Sequence, residues 1–279
     1  MGGPPQTTGP DREPVVAGQF YPGDATALER QVDEYLQRGR SLEPLGKVML
    51  AMAPHAGYVF SGGVAGETLG RAELPKTILL LGPNHTGRGA RFSLWPGGRW
   101  LIPGGAVTVD EDLTQALDKA DPAVTLDVEA HLHEHSLEVM LPFLRGMDPD
   151  TRVAALAVSE PNLDALIRVG KALAEVIKQW PQDVAMVVSS DMSHYVSQAT
   201  AEELDSQALD RVQALDPEGL LQTVRSRNIS MCGVLPMTVG LSACRELGAT
   251  RAEVVSYATS GNASGDYSRV VGYAGALVS

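Results

Sequence analysis

Apolar residues recur at helical spacing from residue 24 to 38. Leu28, Val32, Tyr35 and Leu36 share one face there, and Asp24 stands at the N-cap position. Unbroken apolar runs at 48–53 and 77–81 predict buried strands, with residues 62–71 between them reading as a helix. Residues 92–102, with Pro96-Gly97-Gly98 in the middle, predict a hairpin. Helical spacing returns at 110–120 and 136–144. A strand at 152–158, a helix at 163–179 capped by Asn162, and a strand at 184–189 follow. Helices at 199–215 and 235–247 and strands at 254–258 and 270–278 complete the pattern. Strands alternating with helices predict an α/β fold, a mainly parallel sheet with helices on both faces. Residues 1–11 are rich in Gly, Pro and Thr with little to bury, and read as a disordered leader. Residues 12–279 then form a single α/β domain without internal repeats.

Composition narrows the function. The 279 residues carry 22 basic and 34 acidic side chains, a net charge of −12. That balance argues against nucleic acid, whose binders need basic surface, and against an anionic membrane surface. No apolar run approaches the roughly 18 residues that span a bilayer. The first residues lack the basic and apolar regions of a signal peptide. Two cysteines, Cys232 and Cys244, make no disulfide framework, so a reducing, cytoplasmic setting is expected.

Three apolar strands end alike. The first runs into Pro54-His55-Ala56-Gly57-Tyr58, the second into Gly82-Pro83-Asn84-His85, the third into Ser190-Asp191-Met192-Ser193-His194. Each delivers a histidine just beyond its carboxyl end. In a parallel sheet those ends share the edge where open α/β sheets bind ligands. Converging imidazoles suit a metal or acid/base site. Singly, each is equally well a loop histidine with a local hydrogen bond.

A second cluster is His131-Leu132-His133-Glu134-His135-Ser136. If it is extended, its three histidines share one side. If it is a loop entering a helix, some rings lie in solvent. His135 is a candidate for the site, and Glu134 for a ligand, an orienting partner or a helix N-terminal charge. Ser61-Gly62-Gly63 either presents N–H groups to an anion at a helix start or makes a tight turn. The stretch 259–267 lines the crevice or simply turns. Cys232, just before a helix, is a thiolate favoured by the helix N-terminus or a small buried hydrophobe. Cys244 reads as core. No Walker loop or dinucleotide fingerprint is present.

Taken together, these strings resemble the Memo-like family, whose bacterial and archaeal branch is the B component of the AmmeMemoRadiSam system. The matching pieces are Pro14-Val15-Val16-Ala17-Gly18-Gln19-Phe20-Tyr21-Pro22, Pro54-His55-Ala56-Gly57-Tyr58 with Ser61-Gly62, and Gly82-Pro83-Asn84-His85. Glu134-His135-Ser136 with Glu138 and Leu141-Pro142, Ser190-Asp191-Met192-Ser193-His194, Cys232-Gly233, Tyr257-Ala258 and Tyr273-Ala274 continue it. The resemblance implies a three-layer αβα sandwich similar to the class III extradiol dioxygenases, which hold non-haem Fe(II). Carried over by motif, His55 and His85 are metal ligands. His194 is a ligand or the acid/base group, and Asp191 sits beside it. The animal members' cysteine ligand, placed by this reading in the loop after the penultimate strand, has no counterpart at 259–267, where Asn262 and Ala263 stand. The third ligand is then Asp191, Glu134, Asn262, His194, Cys232 or water.

The expected function is a metal-binding, iron-dependent redox enzyme acting on an unknown small molecule. His55, His85 and His194 hold Fe(II), with Cu or Zn as alternatives, and His194, Asp191 and His135 are the catalytic candidates. A binding module that takes a peptide or anion in the same crevice is the first alternative. A metal-dependent hydrolase is the second. The resemblance also implies radical-SAM and AMMECR1-like pathway partners.

Overall fold

The structure, a computed structural model, describes residues 9–279. The elements run α1 (Ala25–Arg40), β1 (Leu50–Ala53), α2 (Tyr58–Arg71), β2 (Thr77–Pro83), β3 (Phe92–Leu94), β4 (Arg99–Ile102), β5 (Gly105–Val109), α3 (Glu111–Asp118) and β6 (Val124–Leu126). A single 3-10 turn, Glu138–Met140, leads into α4 (Leu141–Met147). Then come β7 (Arg152–Val158), α5 (Leu163–Gln179), β8 (Val184–Ser189), β9 (His194–Val196), α6 (Gln198–Gln213), α7 (Pro217–Ser226), α8 (Val234–Leu247), β10 (Ala252–Thr259), α9 (Gly261–Ser264) and β11 (Val270–Val278).

Local chemistry sets several helix starts. Asp24, Asp110, Asn162 and Asp216 each accept a hydrogen bond from the backbone N–H three residues on, satisfying a donor that the helix leaves free. Pro217 occupies the first turn of α7, where its missing N–H costs nothing.

The strands form one mixed sheet in the order β10-β11-β1-β8-β2-β7-β3-β6. Its centre, β1-β8-β2-β7, is parallel. Antiparallel strands flank it, β11 and β10 on one side and β3 on the other. Alternate residues of each central strand point to opposite faces. Leu50, Met52, Leu79 and Leu81 pack with Leu173, Met237 and Leu241 of α5 and α8. Ala51, Ala53, Ile78 and Leu80 pack with Val32, Leu36 and Leu69 of α1 and α2. The result is the expected helix–sheet–helix layering. Full burial of one such leucine contributes about 1.5–3 kcal/mol. No helix among the described residues is long and apolar enough to cross a membrane.

Two expectations need correction, and a third reaches beyond the described residues. Residues 92–102 are not a hairpin: β3 pairs with β6 and β7, while β4 turns at Gly104 (φ +82°) to pair with β5. The Pro96-Gly97-Gly98 stretch instead links two separate strands. Trp95 donates its indole N–H to the Gly97 carbonyl at 2.6 Å, and Glu111 accepts the Gly98 N–H at 3.0 Å. The first eight residues of the expected leader lie outside the described residues. Its end is anchored: Asp11 pairs with Arg99 at 2.5 Å, and Gly9 N–H donates to Glu111. The helix expected from 136 starts only at Leu141, because Glu134 and Ser136 are committed to the edge of the sheet, as described next.

Candidate metal centre

The parallel strands β1, β2 and β8 end side by side, with Ala53 opposite Ser189 and Leu81 opposite Val188. Each is followed at once by its motif. Pro54 carries the chain off β1, and His55 N–H donates to Asp191 Oδ1 at 2.8 Å. The His55 ring turns inward, 2% exposed, with Nδ1 2.5 Å from Ser189 Oγ. Beyond β2, Asn84 folds its own loop by accepting from the Thr86 and Gly87 N–H groups. This aims His85 across the edge. Between them passes the segment carrying Glu134 and His135, tied down where Ser136 Oγ donates to the Pro83 carbonyl at 2.8 Å.

Three imidazoles meet there. One nitrogen from each of His55, His85 and His135 lies within 4.8 Å of the others. A tetrahedral ion with Zn–N-like bonds of about 2.1 Å holds two ligand atoms about 3.4 Å apart, so side-chain shifts of about 1 Å close the site. His85 and His135 stack at 4.9 Å, and both stand edge-on to His55 at 5.3 and 5.5 Å. His85 and His135 side chains are 36% and 25% exposed, so the group is open on their side and closed behind His55. Phe20 covers part of the His135 ring at 4.9 Å.

The electrostatics suit a metal. Burial, reinforced by the neighbouring imidazoles, holds His55 well below the ordinary histidine range, and burial also lowers His135. Both rings are therefore neutral donors at neutral pH. Burial also acts to lower His85, but its hydrogen bond to Glu134 and that carboxylate's charge outweigh it and raise the ring. Burial works against ionised Glu134, yet His85 and backbone N–H groups win and hold the carboxyl down to about 2.

Each expected residue has a definite place. His55 and His85 are brought together. His135, expected among the catalytic groups, completes the imidazole group, whereas His194, expected as a ligand or the acid/base group, stands outside it. His194 Nδ1 is 3.0 Å from the Ser230 carbonyl, near enough to the site for its charge to act on His55 and Asp191. Asp191 is buried, and burial raises its carboxyl. Cys232 Sγ lies 3.4 Å from His55 Nε2. Burial, with Asp191 nearby, pushes this thiol up, which fits the buried-hydrophobe alternative and not the helix-end thiolate.

The segment 131–136 is turned, not extended: Glu134 N–H reaches back to the His131 carbonyl. Its histidines therefore do not share a side. His131 is buried between Trp95 and Trp100, and His133 is exposed. Asn262 spends its Oδ1 on Thr259 N–H within its own loop. Ser61-Gly62-Gly63 lies inside α2, which starts at Tyr58, so it opens no anion site. Sequence reading missed Ser189, the last residue of an apolar strand. The register Ala53–Ser189 is what brings it to His55.

The family model described as Memo-like protein matches residues 12–277. The chain belongs to the Memo-like family. Among Memo-like relatives, a MEMO1 family protein of Aquifex aeolicus is 40% identical over 269 residues, covering 95% of this chain and 98% of its own. One from Methanopyrus kandleri is 37% identical over 275 residues, covering 95% and 97%. The crystal structure of an uncharacterized protein from Escherichia coli K12 superposes with a TM-score of 0.50 at 14% identity, over 81% of this chain and 98% of that one. This last likeness shows the fold alone.

Proposed function

We propose that this Memo-like chain is a metal-dependent oxidoreductase whose ion is held by His55, His85 and His135, with Fe(II) the first choice of metal. The observation that carries the reading is the meeting of three imidazole nitrogens within 4.8 Å at the carboxyl edge of a parallel sheet. Three neutral or readily neutralised imidazoles are borderline donors that suit iron, copper or zinc. When bound, Fe(II) supplies open coordination positions and one-electron chemistry. The protein's own residues do the rest. His85 and His135 border the open side, where a small molecule approaches. The wall behind His55 keeps water out. His194 moves a proton, its Nδ1 donating to the Ser230 carbonyl so that Nε2 is the exchanging atom. Asp191 braces the His55 backbone.

The test is metal content in protein purified without oxygen and without a metal-binding tag. Wild type is expected to hold about one metal per chain, and His55→Ala/His85→Ala none. Wild type that stays metal-free after addition of Fe(II), Zn(II) or Cu(I) overturns the reading and favours a peptide or anion in the crevice. Turnover that persists without oxygen assigns the ion to hydrolysis instead.

A further inference from the structure

Two side chains that touch no ligand position settle which face each imidazole presents. Ser189 is fully buried, and its single hydroxyl hydrogen goes to the Ser136 carbonyl at 2.6 Å. A carbonyl can only accept, so that hydrogen is committed. The 2.5 Å contact between Ser189 Oγ and His55 Nδ1 must then be donated by the ring. Nδ1 carries the proton and Nε2 keeps the lone pair. At His85 a carboxylate does the same work. Glu134 Oε1 accepts from His85 Nδ1 at 2.9 Å, and from the backbone N–H of His135 and Ser136 at 2.9 Å each. Its Oε2 accepts from His85 N–H. Three of these donors fall on Oε1 and one on Oε2. Glu134 Oε1 is thereby fully engaged as an acceptor, which fixes the carboxylate against His85.

We infer that Ser189 and Glu134 are positioning residues that lock His55 and His85 as Nδ1–H tautomers, so that both aim a bare Nε2 into the imidazole group. The two locks share one residue. The Ser136 carbonyl holds Ser189, and the Ser136 N–H holds Glu134. One short segment therefore sets both rings, and it also carries the third, His135. Partners of this kind are worth about 10–100-fold in metal affinity.

The metal side of this inference rests on the proposed metal site, so the experiment has two arms. In metal-free protein with 15N-labelled histidine, at a pH of about 9 where the rings are neutral, both rings should show a protonated Nδ1 and a bare Nε2. His55→Gln and His85→Gln assign the signals. A protonated Nε2 on either ring overturns the inference. In the second arm Co(II) is titrated and followed by its visible absorption. Ser189→Ala and Glu134→Gln should bind it about 10–100-fold more weakly, and Ser189→Thr, which keeps the hydroxyl, should recover wild-type affinity. Wild-type affinity in both weakened variants sinks the inference even if one of them is less stable. If wild type takes no Co(II) while the rings remain Nδ1–H, the metal reading fails and the tautomer lock stands.

Discussion

Arg12 and Glu138 meet at 2.7 Å inside the protein, with side chains 1% and 0% exposed. The pair joins the N-terminal segment to the site. Arg12 lies over Trp100 at 4.2 Å and donates to the carbonyls of His131 and Glu134. Glu138 accepts from Tyr21 OH at 2.7 Å and from Val15 and Val16 N–H. Removing one partner leaves a buried charge unpaired, so Glu138→Ala should cost about 3–5 kcal/mol. Replacing both, as Arg12→Met/Glu138→Leu, should cost less than the two single losses combined. Urea unfolding of the four proteins checks this, and strictly additive losses would contradict it.

The proposed site takes His135 in place of His194 as the third imidazole ligand, and metal content separates the two. His135→Ala should lose most of the bound metal. His194→Ala should keep about one metal per chain while losing turnover once a substrate is in hand. Metal retained by His135→Ala and lost by His194→Ala would restore the original assignment.

His131 makes folding sensitive to acid. Burial between the two tryptophans lowers it to about 4, against 6.5 in the unfolded chain, although its bond to the Ser93 carbonyl acts the other way. Above pH 6.5 both states are neutral and the shift has no effect on stability. As pH falls from 6.5 to 4 the unfolded chain takes up the proton first, so stability drops, by roughly 3 kcal/mol in all. His131→Gln should flatten that part of the pH–stability curve. Parallel curves for the two proteins across this window would disprove the effect.

Helices α1 and α2 approach closely enough to exclude a methyl group. A Cβ on Gly70 would lie 2.4 Å from the Leu36 carbonyl oxygen, and backbone cannot swing aside as a side chain can. Gly70→Ala should therefore lower stability by about 1–3 kcal/mol despite alanine's better helix propensity. Thermal melts decide it, and a stabilised variant would mean that the helices part at little cost.

The fold was legible because buried parallel strands write themselves as unbroken apolar runs: 48–53, 77–81, 152–158 and 184–189 were all readable. Short marginal strands such as β5 and β9 carry no comparable run, and their pairing depends on distant neighbours. Helix α7 was missed although Asp216-Pro217 marked its start. In the site, His55 and His85 followed from strand ends alone. The choice of His135 over His194 did not, since it depends on a turned segment crossing from another part of the chain. The role of Ser189 depends on register, which no local pattern encodes.

Strand β1, the carrier of His55, lies between β8 and β11. Both neighbours come much later in the chain. During synthesis β1 leaves the ribosome early and waits with both backbone edges unpaired. The chain must be nearly finished before its second edge is covered. The first histidine to be made is thus among the last to be seated. A chain released early would expose an apolar strand at the very edge where the three imidazoles are to meet.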